Sequence, residues 1–253
     1  MMNAFKGCET IRKRAPNVLA SLHEVITDRP SAVTERNPGT MTYFSTAASA
    51  AIAAAVLGLI ALTALHFLKP EVSPSRNMIS QYALGRHGWV MALFFGAFAA
   101  ASACLSAALV VHVQAPSGRV GLAFLLAAAV GLAMAARFPM DPVGTPRERG
   151  SFSGKMHGVA FLVGVPCQLL AVLLLSLGLR SQASHASLPL LSLTAVVWLS
   201  LMVVIAVMLM VGPGKPSNPD GPERFLGWPN RLFMVSYGVW LVVAAWPMAA
   251  WQG

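Results

Sequence analysis

The chain has 253 residues, of which 56% are hydrophobic and 11% charged, with a formal net charge of +9. Globular domains carry about 25% charged residues, so this composition excludes an ordinary water-soluble fold. The basic residues are scattered over loops and helix ends, with no basic stripe and no interleaved aromatics, which argues against a nucleic-acid partner.

In chain order, residues 1–42 come first and hold Lys6, Arg12, Lys13, Arg14, Arg29 and Arg36. No apolar run of about 7 to 15 residues follows the Arg12-Lys13-Arg14 cluster before Pro30 and Pro38, so this segment does not read as a signal peptide. It is expected to be a disordered basic tail, with Met41 offering a second initiation site. Cys8 lies in this tail, while Cys104 and Cys167 fall inside apolar stretches, which leaves no disulfide framework and no Cys-x-x-Cys metal site.

Six apolar stretches follow, at residues 43–68, 89–113, 119–137, 157–179, 188–211 and 232–251. A helix rising about 1.5 Å per residue crosses a hydrocarbon core of about 30 Å in each of them. The expected fold is an all-α polytopic membrane protein, a compact bundle of six transmembrane helices over residues 43–251. Small residues such as Ala47, Ala48, Ala51, Gly96, Ala99 and Ala103 allow the close helix approach on which membrane bundles depend. Pro166 is expected to bend the fourth span, and Trp89, Trp228, Trp246 and Trp251 read as interfacial anchors.

The loops divide the basic residues unequally. Loops 1, 3 and 5 carry Lys69, Arg76, Arg86, Arg137, Arg147, Arg149, Lys155, Lys215, Arg224 and Arg231, whereas the opposite side has Arg119, Arg180 and the nearby Arg29 and Arg36. That asymmetry predicts an inner-membrane protein with loops 1, 3 and 5 cytoplasmic and both termini outside.

The unusual polar residues fall in the same loops. Loop 1 contains His66 at its start, then Ser80, Tyr82, Arg86 and His87; loop 3 contains Asp141 and leads to His157; loop 5 closes with Asn230 and Arg231. Three stretches are distinctive in this order: Ile79-Ser80-x-Tyr82 leading to Gly88-Trp89-x-Met91, Phe138-Pro139-x-Asp141 followed by His157-Gly158, and residues 227–231 opening the last helix. Together they resemble a family of prokaryotic membrane proteins catalogued as domain of unknown function 998. The resemblance covers about residues 43–251, implies the six-helix fold, and supplies no reaction. Asn230 departs from the pattern, since a Gln or Glu is expected before the arginine.

The residues admit two functional readings. The preferred one is noncatalytic: a polar surface of Ser80, Tyr82, Arg86, Asp141, His157 and Arg231 that binds membrane lipid or a small amphiphile, with no cofactor. It rests on spans that contain no internal Asp, Glu, Lys or Arg. The alternative is a zinc-dependent intramembrane hydrolase with His66, His87, Asp141 and His157 as ligands and Asp141, His157 or Ser80 as catalytic candidates, because His and Asp can hold zinc with an open water position. Against both stands a structural role, in which Asp141 caps a turn or pairs with Arg137 or Arg86 and His157 bonds a neighbouring loop.

Overall fold

The computed structural model describes residues 38–180, 187–211 and 221–250. The chain divides into two units, 1–41 and 42–253. The basic tail, Lys215, His185 and Trp251 lie outside the described residues. Six helices carry the fold: α1 (Pro38–Leu68), α2 (Gly88–Leu109), α3 (Pro116–Arg137), α4 (Phe152–Leu179), α5 (Ser187–Val211) and α6 (Gly227–Ala249). All six are long and apolar enough to cross a membrane. Helices suit that medium because every backbone N–H and C=O is paired within its own segment.

Three helix starts show why the helix bounds differ from the apolar stretches. Pro116 opens α3, where its missing N–H costs nothing and its fixed φ suits the first turn. Ser151 caps α4 and starts it at Phe152, and α6 begins at Gly227 with Pro229 tolerated in its first turn. Arg231 is therefore a helical residue rather than a loop residue. Pro166 sits inside α4, and the helix continues through it to Leu179.

Because these helices are apolar on all sides, residue size rather than polarity separates inward from outward faces. Ala48, Ala51 and Ala55 of α1 are fully buried, whereas Ile60 is exposed. On α3 the buried face runs through Gly118, Gly121, Leu125, Ala128 and Leu132 at helical spacing, with Val120, Leu126 and Val130 outside. Leu162, Leu199 and Leu209 are also exposed, as expected of side chains that meet lipid.

Two close approaches set the bundle. Phe98 of α2 wedges between Gly58 of α1 and Gly238 of α6, where an added Cβ would come within 2.5 Å of its ring. The antiparallel pair α3 and α4 touches backbone to backbone: a Cβ at Gly131 would lie 2.6 Å from the Gly164 Cα, and one at Gly178 would lie 3.4 Å from the Gly118 Cα.

Deeper in the bundle, α4, α5 and α6 share a directional hydrogen-bond chain. Thr194 donates to the Leu190 carbonyl, so it accepts from Ser176 at 2.9 Å, and Ser176 in turn accepts from Trp240 Nε1 at 2.8 Å. By the same donor accounting Ser102 donates to the Phe98 carbonyl and accepts from the Tyr237 hydroxyl at 2.8 Å. These bonds satisfy buried hydroxyls that would be costly alone in hydrocarbon. They tie α4 to α6 at the level of Ser176. Nearer the end that bears loops 1, 3 and 5 the two helices flank an open cleft.

Candidate functional site

All the sequence-predicted residues except Arg86 and His87 fall into three groups. The first is a hub around Tyr82, in the short 3-10 helix Ile79–Ala83 of loop 1. Its ring is fully buried, its hydroxyl accepts from Arg231 at 3.0 Å, and its carbonyl accepts from Lys69 Nζ at 3.2 Å. Arg231 also donates to His66 Nε2 at 2.9 Å, to the Asn77 carbonyl at 2.7 Å and to the Gly227 carbonyl at 3.1 Å. Lys69 completes its set at the Leu84 carbonyl, close to the C-terminal end of the 3-10 helix, where a cation opposes the local dipole.

Both cations are buried, each with 4% of its surface exposed, and the hydrogen-bond partners just named are neutral. A buried charge of this kind is tolerated only when its donors are spent, and four of the five guanidinium N–H groups are. Lys69 and Arg231 thus act as internal staples rather than exposed charges, and the donors of Arg231 are directed into the protein rather than toward a ligand. Loop 1 is further pinned to α6 by Asn230 Oδ1, which accepts from the Ile79 N–H at 2.9 Å, and by Gly227 N–H on the Ser75 carbonyl at 2.7 Å. Gly227 admits no side chain, since a Cβ would fall 2.1 Å from the Pro74 carbonyl oxygen.

The second group wraps the start of α4. Asp141 accepts from the Ser151 N–H at 2.9 Å and from its hydroxyl at 2.6 Å, while Ser151 Oγ accepts from the Gly154 N–H at 3.0 Å. Ser153 bonds the Pro139 carbonyl at 2.8 Å, and His157 Nδ1 donates to the Phe138 carbonyl at 2.9 Å. The Phe138-Pro139-x-Asp141 motif is therefore a helix cap, in which a carboxylate also offsets the positive helix end. Of the roles open to Asp141, capping is realised.

The zinc ligand set does not assemble. His66 has both ring nitrogens committed, Nδ1 to the Leu62 carbonyl at 2.8 Å and Nε2 to Arg231, so it has no lone pair to offer. Asp141 has both oxygens on Ser151, and His87 sits in a left-handed turn at φ 65° before α2. Among the described residues no group of three or more His, Cys, Asp or Glu side chains is placed to hold a metal. Arg86 is exposed in that same turn and lines neither the hub nor the cleft.

The third group lines the cleft, which encloses about 520 Å³ counting the space at its open mouth. Its walls come from Phe95 of α2, Leu132 and Ala135 of α3, one face of α4 through Ala160, Phe161, Gly164 and Val165, and Phe233 and Met234 of α6. Four polar residues join them: Ser80, His157, Asn230 and Gln168. None of the described lining residues is Asp, Glu, Lys or Arg. Gln168 was not singled out by sequence, although it is the one carboxamide inside α4. It is 2% exposed beside the Tyr237 hydroxyl, yet its Nε2 ends without a hydrogen-bond partner.

No curated protein and no solved structure matches this chain. A family model described as a protein of unknown function, DUF998, matches residues 52–247. That span includes the loop 1 hub, the α4 cap and every residue of the cleft, and the chain belongs to this family.

Proposed function

We propose that this integral membrane protein binds a lipid or small amphiphile in the cleft beside α4, without chemistry of its own. The observation that carries the reading is an apolar cleft with polar groups set into it at Ser80, His157, Asn230 and Gln168. Ligand sites have this make-up, mostly apolar walls with a few polar groups that fix orientation. Phe161 lines the cleft and is also 39% exposed on the outer face of α4, so the space adjoins the region that lipid occupies. The hub and the cap support the same reading indirectly, because they hold the two loops that frame the polar end.

The binding surface is narrower than the polar rim read from sequence. Ser80 and His157 belong to it, whereas Tyr82, Asp141 and Arg231 hold it in shape. We also infer that loops 1, 3 and 5 face the cytoplasm across an inner membrane, from the excess of Lys and Arg on that side.

Protein purified in mild detergent and analysed by native mass spectrometry tests the binding. A co-purifying lipid, exchangeable with a photoactivatable acyl probe that cross-links to α4, is the expected result. Ala135→Phe, which fills the cleft from α3, should reduce cross-linking about tenfold, corresponding to about 1.4 kcal/mol, while thermal stability is retained. Lipid-free protein that takes up no acyl probe would overturn the reading.

A further inference from the structure

Gln168 Nε2 is a donor of two N–H groups beside a largely apolar cleft, and neither completes a hydrogen bond, although the Tyr237 hydroxyl lies near. A buried amide left so costs roughly 1 to 3 kcal/mol, which an acceptor on a bound molecule recovers. The acceptor's chemistry is limited by its surroundings. The cleft is lined by no described Lys or Arg, and the two nearby buried cations have their bonds directed to Tyr82, His66, Asn77, Gly227 and Leu84. A carboxylate or phosphate drawn down to Gln168 would lose its hydration with no cation to neutralise it. The oxygen that fits there is uncharged.

Its depth narrows the class further. Gln168 follows His157 by eleven positions on the same helix, a rise of about 16 Å, and both side chains lean toward the helix start, so the offset between them is kept. The acceptor therefore lies inside the apolar body of the occupant, well below the polar rim at Ser80 and His157. Acyl lipids bury a neutral carbonyl at the head of an apolar chain, below a polar headgroup that extends back toward the rim. We propose that Gln168 recognises the ester or amide carbonyl of an acyl lipid bound in the cleft, so that the protein distinguishes acyl from ether-linked chains. This rests on the amphiphile reading above and specifies its ligand.

The test compares a 1-acylglycerol with the 1-alkyl ether of equal chain length, which keeps head and tail and removes only the carbonyl. Both compete for the photoactivatable acyl probe on the full chain in nanodiscs. The wild-type protein should prefer the ester by roughly five- to tenfold, the effect of one net hydrogen bond. Gln168→Leu should bind both within about twofold of each other by the same reasoning. Equal binding of ester and ether by the wild type overturns carbonyl recognition while leaving the amphiphile cleft intact. An ester preference that survives Gln168→Leu removes Gln168 as the reader. Failure of both compounds to compete overturns both this assignment and the cleft as an amphiphile site. If Gln168→Leu does not fold, Gln168→Met supplies the same comparison, and the wild-type ratio stands alone.

Discussion

Arg231 Nε donates to His66 Nε2 across 2.9 Å, and the imidazole receives that bond in its neutral form because its Nδ1 hydrogen is committed to the Leu62 carbonyl. A helix end, a loop and the last helix are joined by one guanidinium. Arg231→Lys keeps the charge but cannot reproduce the fork that reaches His66, Asn77, Gly227 and Tyr82 together. It should lower stability by about 2 to 3 kcal/mol, since buried acceptors are left unpaired. Thermal unfolding in detergent measures the loss, and hydrogen exchange should rise first over residues 73–84. Wild-type stability in Arg231→Lys would contradict the staple.

Asp141, Ser151 and Gly154 form one relay, so their substitutions should not add. Asp141→Ala and Ser151→Ala should each cost about 1 to 2 kcal/mol, as lost helix caps do, and the double variant should cost little more than the worse single one. Gly154→Ala should match them, because its Cβ would lie 2.1 Å from Asp141 Oδ2 and displace the carboxylate from the cap. Additive losses in the thermal midpoints would show that Asp141 acts elsewhere.

The six spans were legible because a membrane helix announces itself by length and apolarity alone, and the match of fold to hydropathy follows from backbone pairing in lipid. The grouping of the polar residues was less so. Asp141, Arg231 and Ser80 look alike in sequence, as polar residues in loops on one side. Only three-dimensional pairing reveals that Asp141 faces Ser151, that Arg231 faces Tyr82, and that Ser80 faces the cleft. Lys69 and Arg231 read as loop charges in the sequence, which records a charge and not its burial. Gln168 carries no charge, so it does not stand out among the spans as an ionisable group does. A lone carboxamide in an apolar helix was the available signal, since polar groups at membrane depth are costly without a purpose. Asn230, where a Gln or Glu was expected, has a visible task in accepting the Ile79 N–H.

The inferred orientation predicts opposite labelling of two loops. With Cys8, Cys104 and Cys167 replaced by Ala, Val143→Cys in loop 3 and Ser117→Cys at the start of α3 each present one thiol at an exposed position. A membrane-impermeant maleimide added to intact cells should label Ser117→Cys and spare Val143→Cys, and permeabilised cells should label both. The reverse pattern would invert the sidedness.

Steric fit should outweigh hydrogen bonding in the apolar interior. Interhelical hydrogen bonds in a bilayer average about 0.6 kcal/mol, because the unassembled helices also find partners. Thr194→Val, which breaks the chain from Trp240 through Ser176, should therefore cost under about 1 kcal/mol. Gly131→Val meets a different obstacle, since even its Cβ would lie 2.6 Å from the Gly164 Cα and 3.1 Å from the Gly164 nitrogen, neither of which can rotate away. Separating α3 from α4 would strip contacts along the whole pair and widen one wall of the cleft, so a loss of at least about 2 kcal/mol is expected. Unfolding titrations in mixed micelles should rank Gly131→Val well below Thr194→Val. If the order were reversed, the hydrogen-bond chain rather than glycine contact would be the main tie on α4.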